Sequence, residues 1–546
     1  MAKTFSKVHS NENLSQQEKR ARAETVGNYR QEFDNADMIG GVLNELFTIT
    51  ELNNALRKLG KSSPGRDGIC YSMLENLTDK GKEVLMCLYN KVWTEGIIPR
   101  GWKESIIIPI KKPGKDPQIP SSYRPIALTS QMGKTMERII NDRLVYTIET
   151  KGLIQNYQSV FRRGRCTMDP LVYLEDAIRR AQVNKEAVVA VFFDIEKAYD
   201  MMWKEGLLIK LSHMGIKGRI FNWIKEFLSG RTIMVKIKGV ISERHQVENG
   251  FPQGNIISPL LFNIMINDIF KEVENFVDVA LFADDGALWK RGRNVDFVVS
   301  KIQQAVDVVD KWSIRWGFRI SIDKTKTMCF TKNKLTDDIK VKLSNNEVER
   351  VDTFKYLGIW FDQRLTWAMH IQKIIDKCKK TINVMRCLCG VEWGASKSAM
   401  RTIYTGLIRS VLDYGSIIYG SAAKTWLSKL DVIQNQALRL CCGAVKTTPV
   451  SAIQVEMGEM PLHLRRDQLA IVYWANLRGH DGNHMSQMPL HLRRDQLAIV
   501  YWANLRGHDG NHMSQSVLKQ CQERGNAQVR GFGWVINEKV NEMGVQ

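Results

Sequence analysis

Residues Ala187–Phe193 (AVVAVFF) are apolar without interruption and end on Asp194. Strict alternation would mark a strand with one wet face. An unbroken run this short, rich in Val and Phe, marks a strand buried on both faces, and so a sheet with layers packed on each side. A second run, Val277–Phe282 (VDVALF), ends on Ala-Asp-Asp-Gly, and Asp285-Gly286 between two apolar runs predicts a hairpin turn there. Two strand ends, 90 residues apart from Asp194 to Asp284, thus carry three carboxylates. A carboxylate at a buried strand end is costly unless a cation or a donor compensates it. Gathered at one sheet edge, Asp194, Asp284 and Asp285 would make a hard oxygen site suited to Mg2+, which keeps places for water and substrate phosphates. Two such ions about 3.5–4 Å apart stabilise the attacking and the leaving oxygens of a phosphoryl transfer. Taken alone, the same residues also fit an ordinary Asp-Gly turn beside a strand-end Asp.

The rest of the chain mixes helical and strand patterns, which gives an α/β (α+β) class. Ser105–Ile110 reads as a strand running into the loop KKPGKDP, and Met132–Ile148 and Leu171–Gln182 read as helices. After Phe361 the pattern is almost entirely helical, over Met369–Leu388, Lys397–Leu412 and Trp426–Leu440. Residues 1–45 are polar and charged and read as a flexible linker. Residues 460–487 recur without a change as 488–515, a 28-residue tandem copy inside a helical tail over 460–546. Repeat architectures need three or more units, so the copy reads as a recent tandem duplication or an artefact of sequence assembly. Its His480 and His484 stand four apart, but Gly482 between them argues for a loop rather than a metal pair.

No apolar run approaches the ~18 residues of a membrane helix, and the N-terminus has no apolar signal core. The chain is therefore expected inside the cell, in the nucleus, the cytoplasm or both, with no membrane partner. Its ten cysteines are sparse and fit buried thiols in a reducing compartment. Lys and Arg number 78 against 58 Asp and Glu, a net charge of +20 that favours a polyanionic partner, nucleic acid above all.

Seven segments stand in order: SSYRPIALTS (121–130), QSVFRRGRCT (158–167), FFDIEKAYD (192–200), NGFPQGNIISPLLFNIMINDI (249–269), FADD (282–285), GFRISIDKTK (317–326) and FKYLGIWFD (354–362). In words and order they resemble the reverse transcriptase of non-LTR retrotransposons, the jockey-like and related elements. That resemblance implies a right-hand polymerase, with fingers and part of the palm over 46–185 and the palm over 186–362. A helical thumb or connection over 363–459 and the helical tail would follow. It implies an RNA-directed DNA polymerase that extends a primer 3′-OH with deoxynucleoside triphosphates on an RNA template, using two Mg2+ ions or Mn2+ in their place. Asp194, Asp284 and Asp285 would be the metal ligands, joined by the carbonyl of Ile195. Tyr199 would lie under the incoming sugar and exclude a 2′-hydroxyl. Gln253 and Gly254 would line the nucleotide pocket, where Gly admits close backbone approach. Arg124, with Lys111 or Lys112, would grip the triphosphate, as a guanidinium fork suits phosphate oxygens. Lys324, or Lys326 beside it, would protonate the pyrophosphate. FKYLGIWFD resembles the primer-grip hairpin. Ser258-Pro259 read as N-cap and first residue of a helix. Arg162, Arg163 and Arg165 near the template entry, and Lys377, Lys379 and Lys380 on the first helix after the palm, would bind phosphates.

Two departures accompany the match. Val160 stands in QSVF where the family has Gly, and a β-branched residue would be strained if the position needs a positive φ. The flanking nuclease and zinc-knuckle modules are not recognisable, so endonuclease activity is expected from elsewhere. These departures and the tandem copy motivate an alternative, a catalytically inactive nucleic-acid-binding remnant. A further rival, an RNA-dependent RNA polymerase, is opposed by Tyr199 at the sugar position.

Overall fold

The computed structural model describes residues 1–29, 41–58, 60, 63–332, 339–390 and 393–478. Its central sheet has four antiparallel strands in the order Asp278–Phe282, Asp285–Gly292, Ala187–Asp194, Lys326–Phe330. The strand Ala187–Asp194 lies inside the sheet and is buried on both faces, as its unbroken apolar run requires. Val189, Val191 and Phe193 enter one core with the helices Ser258–Ile266 and Val295–Trp316. Val188, Ala190 and Phe192 enter another with the helix Met168–Val183, the hairpin Thr353–Asp362 and the helices Ala368–Cys387 and Lys424–Cys442. The period of two along one strand thus divides the molecule into two apolar layers.

Local chemistry sets the element ends. Asn294 accepts a bond from the Phe297 N–H to start the helix Val295–Trp316, and Gly317 at φ 72° stops it. Ser130 caps the helix Gln131–Thr150 through the Gly133 N–H. A second, mixed sheet orders Tyr123–Leu128, Glu104–Lys111 and Thr232–Ile237, with Glu104–Lys111 antiparallel to the first and parallel to the last. Beyond Asp362 the described chain is helical, with a π-turn at Tyr404–Arg409 inside the expected 397–412 helix. The first copy of the tandem repeat forms the helix Leu462–Arg478. The second copy, with the other histidines of the repeat and His480 and His484, lies outside the described residues.

Three expectations are corrected. The hairpin turn is Ala283-Asp284, not Asp285-Gly286: Asp285 pairs with Phe282 and already belongs to the next strand. The helix expected with Ser258 as its cap and Pro259 as its first residue begins at Ser258, with Ile257 in the cap position, and ends at Ile266. Residues 1–29 are not a linker but two helices, Ala2–Val8 and Gln16–Tyr29, joined by a 3-10 turn. Phe5 is buried with Ile107, Ala127, Ile233 and Val235 of the second sheet.

Candidate active site

Asp194 and Asp285 are direct partners across neighbouring strands, so their side chains leave the sheet on one face. Asp284 is the adjoining turn residue, and Ala283 before it holds φ 57°, a left-handed conformation costly for a residue with a Cβ. The Lys324 ammonium reaches Asp194 Oδ1 at 3.0 Å. Lys326 instead bonds Glu349 at 2.7 Å, so of the two candidates it is Lys324 that stands at the carboxylates. The Ser321 N–H donates to the Asp194 carbonyl and the Glu196 N–H to the Arg319 carbonyl. By strand alternation the Ile195 carbonyl between them faces the other way, toward the Asp284–Asp285 hairpin.

Burial, then the charges of Asp284 and Asp194, push the Asp285 carboxyl up to about 6, against the pull of Lys324. Asp284 is raised as well, by burial foremost and by Asp194. The three groups therefore sense one another as like charges, the condition in which a cation is favoured. Among the described residues no three His, Cys, Asp or Glu side chains, these included, are gathered into a group that could hold a metal ion. Mg2+ binds through one or two carboxylates and completes its shell with water and phosphate, so the hard oxygen chemistry of these side chains fits that ion.

Around the carboxylates, Tyr199 stacks on Phe262 with ring centroids 4.5 Å apart. Burial, then the Asp284 charge, raises its phenol. The segment Asn249–Ile257 passes beside it: Phe251 N–H bonds the Tyr199 carbonyl and Gln253 Nε2 bonds Asp200 Oδ1 at 2.8 Å. Ala127 N–H donates to the Gln253 carbonyl at 2.8 Å. Gly254 has φ 125°, and a Cβ there would stand 2.8 Å from the Ala127 carbonyl oxygen, so no other residue fits without moving the strand. Arg124 is exposed on that same strand, three residues from Ala127, and has no partner among the described residues. Lys112 ties its ammonium to the Ser121 carbonyl at 3.0 Å. The hairpin Thr353–Asp362 packs under the face that carries Asp194, through Phe354 and Tyr356 on Phe192 at 4.6 and 5.1 Å.

The basic residues divide. Lys377, Lys379 and Lys380 are exposed on the helix Ala368–Cys387, and Arg163 is exposed on its loop, without ion pairs among the described residues. Arg165 is half-buried and reaches Asn156, and burial, then the Arg162 charge, lowers its pKa. Arg162 is engaged within the fold: its guanidinium is bidentate on Glu149 at 2.9 and 2.8 Å and donates to the Gln155 and Gln158 carbonyls, so it holds a loop. Val160 is buried at a negative φ, and the left-handed residue is its neighbour Phe161 at φ 54°. The strain foreseen at Val160 is absent.

Sequence motifs pass over Glu137. It is 4% exposed and accepts from Asn255 Nδ2 and the Ile256 N–H, both at 2.9 Å, as well as from Ile257. Thr129 donates to Asn255 Oδ1 at 3.1 Å. A buried carboxylate on a helix is a signal in the sequence only as a polar residue on an apolar face, between Met136 and Ile139-Ile140.

Residues 110–361 match the family model for reverse transcriptase (RNA-dependent DNA polymerase). The chain is 31% identical over 440 residues to the RNA-directed DNA polymerase from mobile element jockey of Drosophila melanogaster, covering 79% of this chain and 48% of that protein. It is 30% identical over 391 residues to the probable RNA-directed DNA polymerase from transposon X-element of the same fly, covering 71% and 43%. The corresponding protein of its transposon BS is 29% identical over 399 residues, covering 72% and 44%. The chain thus spans less than half the length of these curated relatives.

Proposed function

Given that this chain belongs, through residues 110–361, to the reverse transcriptase family, we propose that it copies RNA into DNA, extending a primer 3′-OH with deoxynucleotides as the jockey-type polymerases do by name. The central sheet with its carboxylates serves as the palm. The second sheet and the helices before it serve as fingers, and the helices after Asp362 as thumb. The observation that carries this reading is the pairing of Asp194 with Asp285 across adjacent strands, with Asp284 in the same turn and Lys324 upon them.

Asp194, Asp284, Asp285 and the Ile195 carbonyl would hold Mg2+, which when bound supplies charge stabilisation to the attacking and leaving oxygens. The remaining work falls to this chain's own groups and is mostly positioning. Lys324 stands where it can give a proton to the departing pyrophosphate. Tyr199, fixed by its stack on Phe262, shapes the sugar site against a 2′-hydroxyl. Gln253 is turned by Asp200: with Nε2 donating there, its Oε1 is left to accept from substrate. Gly254 lets the backbone close on Ala127. Arg124 offers its free guanidinium to the triphosphate, and the exposed Lys377, Lys379, Lys380 and Arg163 offer charge to the template–primer.

The test is primer extension on an RNA template with deoxynucleotides and Mg2+. The parent chain extends, whereas Asp284→Asn and Asp285→Asn lose extension and keep RNA binding within about twofold, since neither carboxylate contributes attraction to phosphate. Equal extension by parent and variants refutes the metal assignment.

A further inference from the structure

Residues of the turn between the first two helices, and of the second helix, reach the two segments that flank the acidic cluster. At the first of these, the Asn249 N–H donates to the His9 carbonyl at 2.9 Å, and His9 Nδ1 meets the Asn249 carbonyl at 3.0 Å. Asn249 Nδ2 donates to Asn11 Oδ1 at 2.9 Å, and the Asn11 N–H donates to Glu248 at 2.7 Å. His9 is buried, and the backbone at Gly250 runs so close to it that a Cβ would lie 2.7 Å from Nδ1. This is the start of the loop that carries Gln253 and Gly254. At the second, Glu18 takes Arg319 bidentately at 2.8 and 3.0 Å. Burial pushes Glu18 up, but the bonds from Arg319 and Ser15 outweigh it and hold the carboxyl at about 2. Arg319 is the residue whose carbonyl bonds Glu196, two positions before the Ser321 that bonds Asp194, and Lys324 follows. Between the two anchors Arg22 lies buried over the Trp203 ring at 5.2 Å, its Nη1 toward Asn249.

We propose that residues 9–22 are a positioning brace for the catalytic centre, fixing the nucleotide loop through His9 and the Asp194-bearing strand end through the Glu18–Arg319 pair. None of these groups touches the reacting atoms. Each acts through a backbone segment that does. A loop free to wander by about 1 Å can cost about a hundredfold in rate, so holding both sides of the pocket from one element has a direct use. The brace joins residues 240 positions apart with bonds that are polar and specific, rather than through a broad apolar seam. That is the pattern of an element that sets geometry more than it adds stability.

The kinetic part of the test rests on the polymerase reading, but the exchange part does not. The full chain, without added metal, is compared by amide hydrogen exchange with His9→Ala, His9→Asn, Arg319→Gln and Arg319→Lys. His9→Ala accelerates exchange in residues 249–257 about tenfold and Arg319→Gln does the same in 319–324, each leaving the 187–194 strand unchanged. In primer extension His9→Ala raises the deoxynucleotide KM about tenfold, which a mere loss of folded molecules would not do, because that lowers kcat alone. His9→Asn, which returns a donor to the Asn249 carbonyl, and Arg319→Lys, which returns the charge to Glu18, recover most of each effect. Should His9→Ala fail to fold, the Arg319 pair decides, as that side chain is 39% exposed. Parent-like exchange in both loops, or acceleration spread evenly over the chain, overturns the brace. A parent chain that extends no primer overturns the polymerase reading instead, and the exchange comparison still judges the brace.

Discussion

Replacing Glu137 by Gln changes one atom and should be costly in two measurable ways. The carboxylate accepts through both oxygens, from Asn255 Nδ2 on one and the Ile256 N–H on the other. An amide has one acceptor and turns its NH2 on the second donor, leaving a buried N–H unpaired. Arg231, 3% exposed, loses a favourable negative charge; burial already lowers that guanidinium to about 10, against the pull of Glu137. Leaving a buried donor without its acceptor costs about 1–3 kcal/mol. With an unfolding entropy of about 2.1 cal/mol/K per residue, a chain of 546 residues shifts by about 1 °C per kcal/mol, so the melting temperature should fall by about 1–3 °C. The loop Gln253–Ile257 loses its anchor at the same time, so the deoxynucleotide KM should rise about tenfold. Urea unfolding followed by circular dichroism gives the first number and steady-state extension the second. Burial raises the Glu137 pKa, and a side chain held protonated in the folded chain would tolerate the amide. A loss below about 1 kcal/mol with a parent-like KM would therefore refute the ionised anchor, Gln being the near-isostere of the neutral acid.

Gly254→Ala should cut kcat/KM for deoxynucleotides by about a hundredfold or more, read by steady-state extension, because its Cβ meets the Ala127 carbonyl and the pocket wall must move. Tyr199→Ala should reduce discrimination against ribonucleotides about tenfold or more, read as the ratio of kcat/KM for the two sugars; an unchanged ratio removes Tyr199 from the sugar site. His370 gives a pH signature. Burial, then Lys355, lowers its pKa to about 4 from 6.5, so between these values the unfolded chain binds more protons and stability falls as the pH drops. Over that window the parent should lose about 3 kcal/mol that His370→Asn retains, measured by urea titration at pH 7 and pH 4.

The central strand was legible because its information is local. Seven apolar residues in a row state that both faces are covered, and the odd and even positions duly fill different cores. The carboxylates were legible as types at strand ends. The turn was misplaced by two residues because Asp-Gly is the commoner hairpin signal, whereas here Ala283 is forced left-handed so that Asp285 can pair with Asp194. Residues 1–29 gave no such signal. Phe5 and Leu14 are their buried apolar anchors, Val26 and Tyr29 pack half-buried on the main core, and their other links include polar bonds to residues more than 200 positions away. Glu137 and Asn249 escaped for the same reason: a polar residue inside an apolar pattern reports that it is buried, not what it holds.

Charge shows the same limit from the other side. Arg162 and Arg163 are neighbours of one type in one basic word, and nothing in QSVFRRGRCT separates them. In the fold Glu149 comes up from the preceding helix and takes Arg162 in a bidentate pair, while Arg163 stays in solvent. A guanidinium so held would have to break two charge-assisted bonds before meeting a phosphate, and it would leave Glu149 exposed to the same polyanion. The net charge of +20 already cancels such pairs, but it does not say which cations a carboxylate has captured, as Glu51 holds Arg143, Glu18 holds Arg319 and Asp413 holds Arg465. What remains is concentrated where no acid answers it, as on the helix face of Lys377 and Lys380, and such places rather than the total should set the salt dependence of template binding.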